Sequence, residues 1–358
     1  MPDPVDGEWR LGYSATKIYP GADLRFGRMS SGIYCLTEPE VTFSDLDKGD
    51  GDLPGEDGIR MGRDYQRSMT VTFELGVDGV DRAVDRHGDM QPWAGGPLIG
   101  GWPTATRPPL PGQSEGNAAH RVREPYRWSS DGVDLLRQAW RADAVRGRAG
   151  GVAWLQHTTV GGRTRMLYGR PRKFAVGHSR LTRQGYTPVV AEFVAIDDRF
   201  YDATESREEL WDIRWLGMPG RPGRPADAGP GLTDSRKTAL IKQRGRMATY
   251  PYVRVYGPCK NPKLTLAGLW EVQLSLEIRS SSDYVQIDPR PFARSVMFYK
   301  GGSSSSVADK LTRSSPRLAE MFIPPGQWTA KLSYANASVP TTTGPRMEIY
   351  WRDAYAWW

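Results

Sequence analysis

The sequence predicts a mainly β protein in two parts: an α+β front domain, a split β-barrel carrying one helix, and a rear β-sandwich. Three observations predict it. Polar and apolar residues alternate strictly from Ser68 to Leu75 and again from Trp270 to Arg279, the period of strands with one buried face. A single stretch, with Val133, Leu136 and Trp140 at i, i+3 and i+7, has helical spacing. Between the two sets of strands lies Leu216 to Asp234, rich in Pro and Gly, which reads as a semi-rigid connection.

The chain's 358 residues exceed what one hydrophobic core usually serves, roughly 250–300 residues. The expected division is a front domain over 1–215, a linker over 216–249 and a rear domain over 250–358. In the front domain, Gly32–Thr37 and Val41–Ser44 precede the alternating strand Met69, Val71, Phe73, Leu75. Ser130 or Asp131 is placed to cap the helix, with Asp134 in its acid-favouring first turn and an end by Gly147. A hairpin follows, from Gly151–His157 through a turn at Gly161-Gly162 to Arg165–Tyr168 and on to Phe174, and a strand over 188–196 closes the unit. Strands, one helix, then three more strands describe α+β rather than alternating βαβ. In the rear domain the pairs Val285/Ile287, Trp328/Ala330/Leu332 and Met347/Ile349/Trp351 repeat the alternation between polar turns, as a sandwich requires.

Charge is separated along the chain. The net charge is +7, and Arg163, Arg165, Arg170, Arg172 and Lys173 close a basic central stretch that begins at Arg121. Asp45, Asp47, Asp50, Asp52, Glu56 and Asp57 crowd one early loop. Such separation suits nucleic acid, and it equally suits copies of one chain docking basic face to acidic loop. No basic motif with interleaved aromatics favours the first. Between Asp89 and Glu124 the sequence has no periodicity, longer than a compact domain allows for a plain connection. Trp93 and Trp102 within it point to an ordering contact with another subunit.

Catalytic and metal patterns are missing from the sequence. His87, His120, His157 and His178 are unpaired at helical spacing, and Cys35 and Cys259 have no partner at metal-ligand spacing. Asp45, Asp47 and Glu56 fall at positions one, three and twelve of a calcium loop. Position five is Gly49, and position six, where the sharp turn needs Gly, is Asp50. Nucleophile-elbow, phosphate-loop and dinucleotide patterns do not occur. No enzyme activity and no cofactor is expected, and no apolar run is long enough for a membrane span. Trp270 and Trp328 read as core, and Trp351, Trp357 and Trp358 as freer to form a platform, although burial of the terminal Tyr355-Ala-Trp-Trp against its own domain or a neighbour is the better reading of so apolar an end.

Two segments carry a family likeness. The strand over 188–196 runs into Asp198-Arg199-Phe200-Tyr201, and after the Pro/Gly-rich bridge comes Pro251-x-Val-x-Val-x-Gly257-x-x-x-Asn261-Pro262. Tyr284-Val-Gln-Ile-Asp288 and Phe322-Ile-Pro-Pro-Gly326 add to it. In this order the segments resemble the distal tail proteins of long-tailed, non-contractile bacteriophages. The turn Asp197-Asp198-Arg199-Phe200-Tyr201 departs from the family's common Asp-Pro before the aromatic pair. The resemblance implies a front domain like the tail-tube fold and a galectin-like rear sandwich. It further implies a ring, expected to hold six copies, that joins the tail tube to the tail tip or baseplate, with DNA crossing its channel without sequence-specific contact. Its implied partners are the tail tube protein, the tape-measure protein, the tip hub and other baseplate or receptor-binding proteins. The implied location is the virion tail tip, after assembly in the host cytoplasm. Two other classes stay open: an adhesin binding host-surface carbohydrate through the rear sandwich, and a tail-associated cell-wall hydrolase.

Overall fold

The computed structural model describes residues 7–44, 46–48, 50–52, 59–62, 64, 66, 68–78, 118–214, 233–335 and 345–358. They form two compact units, one of Met1–Phe200 with Trp357–Trp358 and one of Tyr201–Ala356.

The first unit contains β1 (Trp9–Tyr13), β2 (Ala22–Phe26), β3 (Ile33–Cys35), β4 (Glu40–Phe43), β5 (Gly51–Asp52), β6 (Ile59–Arg60) and β7 (Met69–Asp78), then α1 (Ala118–Arg141) and α2 (Asp143–Arg146), then β8 (Ala153–Thr158), β9 (Thr164–Val176) and β10 (Tyr186–Ala195). Seven strands follow one another in the order β2-β1-β8-β9-β10-β7-β3, and β4 also pairs with β7. The sheet nearly closes. A parallel bridge joins Gly27, just past β2, to Tyr34 of β3, and Gly27 N donates to the Ile33 carbonyl at 2.8 Å. Closure of this kind removes most of the unpaired edge that an open sheet exposes.

The register follows the sequence alternation. β7 and β10 pair without interruption from Tyr186↔Asp78 to Ala195↔Met69, so Met69, Val71, Phe73 and Leu75 face the same interior as Val189, Ala191, Phe193 and Ala195, all buried. Pairing of β10 with β9 slips between Ala191 and Phe193. Pro171, which has no N–H to donate, sits opposite Phe193 beside this bulge.

The helix covers the sheet with Leu136, Ala139 and Trp140. The Trp140 ring meets Phe26 and Phe73 edge-on at 6.0 and 5.9 Å, and its Nε1 donates to the Glu192 carbonyl at 3.1 Å. α1 starts at Ala118, so Ser130 and Asp131 lie inside it and do not cap it. Both are exposed, and the buried hydroxyl next to them, Ser129 Oγ, instead donates to the Val77 carbonyl at 3.1 Å and lies 2.9 Å from Thr187 Oγ1. At the other end Ala142 takes a left-handed conformation, φ 48°, and α2 follows at once. The hairpin expected at Gly161-Gly162 is present as β8 and β9, whose register runs from Ala153↔Gly169 to Thr158↔Thr164.

A short strand, β11 (Phe200–Asp202), crosses the division into the second unit. There follow β12 (Ser206–Arg214), β13 (Thr233–Arg236), β14 (Thr238–Gln243), β15 (Tyr252–Tyr256), β16 (Cys259–Leu266), β17 (Trp270–Gln273), β18 (Glu277–Ile278), β19 (Tyr284–Asp288), β20 (Ser295–Lys300), β21 (Ser303–Ser306), β22 (Gly326–Ala335), β23 (Arg346–Trp351) and β24 (Ala354–Tyr355). One antiparallel sheet has the order β13-β12-β23-β15-β19-β20-β21, and a second β14-β22-β16-β17 with β18 beside β16. Val253, Val255, Val285, Ile287, Met347 and Ile349 of the first share one core with Ile241, Leu264, Leu266, Val272, Ala330 and Leu332 of the second. This is a two-sheet sandwich.

Within the segment expected as a linker, 216–249, Thr233–Arg236 and Thr238–Gln243 are strands of these sheets. Ala239, Ile241 and Gln243 are buried while Thr238, Leu240 and Lys242 are exposed, an alternation that overrides the Pro/Gly-rich flank. β12, placed in the front domain by sequence, pairs with β23 from Ser206↔Trp351 to Trp211↔Arg346.

Phe193→Ala should lower the stability of the first unit by about 3–5 kcal/mol. Val190→Thr, on the opposite face of the same strand, should change it by about 1 kcal/mol or less. Shifts of the urea midpoint compare the two.

Candidate functional site

The charged segments singled out by sequence are held in different ways. Asp47 is exposed. Asp50 Oδ1 accepts from the Gly62 N–H at 3.0 Å, and Asp52 pairs with Ile59 in the two-stranded β5–β6 ladder. The acidic loop therefore organises its own hairpin. Asp45, Glu56, Asp57, Trp93 and Trp102 lie outside the described residues.

Of the basic stretch, Arg163 and Arg172 are exposed. Lys173 is exposed too, and its Nζ meets Glu192 Oε1 at 2.8 Å. Arg165 is 6% exposed and donates to the Trp357 carbonyl. Arg170 donates to the carbonyls of Gly151 at 2.7 Å and Arg148 at 2.9 Å. Burial, with Arg172 and Arg146 nearby, lowers its pKa. Arg165 and Arg170 thus serve the interior of their own unit, and Arg163, Arg172 and Lys173 are its outward charges.

The aromatic end of the chain divides. Trp351, read from sequence as a platform residue, is buried in the sandwich core because its strand position alternates with Met347 and Ile349. Trp358 belongs to the first unit, edge-on to Trp9 at 5.0 Å and to Phe200 at 4.4 Å. Trp357, 54% exposed, lies 5.8 Å from Phe200 and 6.5 Å from Phe43. His157 stacks on Trp9 at 4.2 Å, and burial lowers its pKa. It is a wall residue.

The family-like motif is framework. Phe200 is fully buried and Tyr201 nearly so, while Arg199 lies 4.0 Å from Asp198. Pro251 and Pro262 are buried. A Cβ on Gly257 would come within 2.6 Å of the Ser280 carbonyl oxygen and 2.7 Å of Ile278 Cγ2, so only glycine fits. Asn261 is left-handed, φ 49°, where β16 slips against β22 between Lys260 and Lys263. Asn tolerates that backbone better than other side chains, and its N–H donates to the Leu276 carbonyl at 2.8 Å.

A further group escaped the sequence reading. The outer face of the seven-stranded sheet alternates with its core and carries tyrosine and arginine. Tyr252 stacks on Tyr350 at 4.6 Å and Tyr284 on Tyr299 at 4.7 Å, with the ring planes nearly parallel in both cases. Arg254 lies 5.5–5.7 Å from the rings of Tyr350, Tyr252 and Tyr284, and Arg346 lies 4.2 Å from Tyr256. At its centre Glu348, 4% exposed, pairs with Arg207 at 2.6 Å. It also accepts from Tyr350 Oη at 2.7 Å and Tyr256 Oη at 3.1 Å. Burial and the Glu348 hydrogen bond push Tyr350 up to about 12. Burial and the Glu348 charge raise Tyr256, and burial and Glu205 raise Tyr252. Tyr252, Arg254 and Tyr256, at period two in β15, were the available signal, masked by the apolar Val253 and Val255 between them.

Among the described residues no group of three His, Cys, Asp or Glu could hold a metal ion, and no helix is long and apolar enough to cross a membrane.

No family model and no curated protein matches the chain. Among solved structures it is similar to the Dit protein (gp 19.1) of phage SPP1, described as a paradigm of the hub adsorption apparatus in phages infecting Gram-positive bacteria. Identity is 10%, TM-score 0.42, with 96% of this chain and 98% of that one covered. It is also similar to a chain of the phage P2 baseplate in its activated conformation with calcium, at 11% identity and TM-score 0.45, covering 96% and 97%. The strontium form of that baseplate gives the same values.

Two outcomes follow from this geometry. Gly257→Ala should destabilise the second unit by about 1–3 kcal/mol, whereas Asn261→Gly should cost well under about 1 kcal/mol, both read by denaturant titration. Tyr350 keeps its proton in the folded state well above the ordinary phenol value, so its contribution is complete below pH about 10 and is lost as pH rises towards about 12. Glu348→Gln removes the charge that raises Tyr256 and Tyr350, and an alkaline titration of phenolate absorbance should then show ionisation at lower pH.

Proposed function

We propose that this chain is a structural component of a bacteriophage tail tip, a distal tail protein whose first unit assembles into a ring of six that continues the tail tube. DNA passes through the central channel without base-specific contact. The second unit carries the tip hub or receptor-binding parts, and the first unit meets the tube and tape-measure proteins.

The observation that carries this reading is the position of the residues behind the sequence likeness. Phe200 and Tyr201 are buried where the first unit ends, and Gly257 and Asn261 occupy backbone sites that other residues would disturb. The likeness therefore falls on residues that build a fold, in the order expected of that family: a near-closed barrel with one long helix, then a sandwich. Charge supports it. Head-to-tail contacts that close give rings, and one chain whose acidic loop holds Asp47, Asp50 and Asp52 and whose β8–β9 hairpin carries exposed Arg163, Arg172 and Lys173 has segments of opposite charge for such contacts. The acidic hairpin either meets those basic residues of the next copy or lines the channel, where it repels DNA.

Electron microscopy of the purified chain tests the ring. Closed particles with a central hole are expected, and particles that stay single at high concentration contradict it. Asp47→Lys combined with Asp52→Lys should weaken assembly in low salt if the hairpin faces the neighbouring copy. Unchanged assembly at every ionic strength places the hairpin in the channel instead.

A further inference from the structure

The outer face of the seven-stranded sheet is charge-paired almost throughout. Arg207 lies 3.1 Å from Glu209 and 2.6 Å from Glu348. Arg236 lies 2.8 Å from Glu208 and Arg290 2.6 Å from Asp288, and Arg346 lies 3.5 Å from both Glu209 and Glu348. Arg254 is the exception. Its Nε donates to Gln286 Oε1 at 3.1 Å, and none of the ion pairs among the described residues gives it a carboxylate.

Around Arg254 the chemistry changes across the sheet. Towards β12 and β23 the tyrosine hydroxyls are engaged, Tyr252 by Glu205 at 3.0 Å and Tyr256 and Tyr350 by Glu348. Towards β20 and β21 they are not. Tyr284 and Tyr299 stack on each other with no internal hydrogen bond from either hydroxyl among the described residues. Ser304 stands opposite Tyr299 and Ser306 opposite Met297, and directly opposed residues share a face. One side of the face thus offers a guanidinium flanked by rings, an amide, two phenols and two serine hydroxyls. Its nearest carboxylates are nearly buried and already paired: Glu348, opposite Arg254 in the register, with Arg207, and Asp288, on β19 with Gln286, with Arg290.

We propose that this half-face binds an acidic glycan. Arg254 takes the carboxylate of a uronic-type sugar through its two terminal nitrogens, a geometry suited to a planar anion. Tyr284, Tyr299, Gln286, Ser304 and Ser306 meet the neighbouring hydroxyls. A polyanion fits less well, because the other four guanidiniums are already neutralised and a second anionic group would meet Glu209 or Asp288. A protein surface fits less well too, because interface cores are poor in serine. The rings are fixed by stacking before any ligand arrives, so little ordering remains to oppose binding. The inference rests on the sandwich alone and stands or falls independently of the tail reading.

Calorimetric titration of the full chain tests it, using a galactose oligomer that carries a single terminal galacturonate, the matching neutral galactose oligomer, a glycerol-phosphate oligomer and an Asp/Glu-rich peptide as probes. The uronate is expected to bind saturably, and at least about tenfold more tightly than the neutral oligomer. Arg254→Gln should weaken it by roughly ten- to a hundredfold without moving the melting temperature. Tyr299→Phe, which keeps the ring and removes the hydroxyl, should weaken it severalfold, and it carries the test if the arginine variant fails to fold. The inference is overturned if the uronate does not bind, if Arg254→Gln binds it equally, or if the phosphate oligomer or the peptide binds in preference.

Discussion

A strand hydrogen-bonded on both sides retains one choice, which of its two faces is buried, and that choice constrains nearly every side chain in this protein. β10 makes it plain. Paired with β7 across ten residues and with β9 on its other edge, it must send Val189, Ala191, Phe193 and Ala195 inward, and a slip by one residue would turn all four to the outside. The helix then has one place to pack, and Trp140 fixes it there through its rings and its bond to the Glu192 carbonyl. In the sandwich the same rule leaves the outer positions of β15, β19, β20 and β23 free for tyrosine and arginine.

Those outer positions are ordered by electrostatics as much as by stacking. Glu348 is nearly buried, and a buried carboxylate is tolerated only with charge and hydrogen bonds around it. Arg207, Arg346, Tyr256 and Tyr350 supply both. Burial raises the pKa of Tyr256 and Tyr350, and the Glu348 carboxylate adds to it, because an anion already occupying the site opposes a second one on the phenol.

The alternating runs were legible, since burial of one face leaves a direct trace: Met69 to Leu75, Val285/Ile287, Ala330/Leu332 and Met347/Ile349 all behave as their spacing implies. β1 and β2 also carry that trace, Trp9, Leu11 and Tyr13 alternating with Arg10 and Gly12 and Ala22, Leu24 and Phe26 with Asp23 and Arg25, but each run is only five residues long. The start of α1 was not legible, because Ser130 and Asp131 look like caps while Ser129, one residue earlier, is engaged with β7 and β10. Nor was the use of 233–243, where a short alternation is overshadowed by the preceding Pro and Gly. Arg165 and Arg170 read as surface charge. Their partners are backbone carbonyls, which no side-chain pattern reveals. The Tyr and Arg face was missed for a related reason: its residues come from strands far apart in sequence and meet only through the sheet order.

The account's central claim is that the chain is built into the end of a phage tail. Gold-labelled antibody against the purified protein, applied to virions that encode it, tests this most directly. Label confined to the tail end away from the capsid is the predicted result. Particles that carry no label, or label spread along the whole tube, would contradict it.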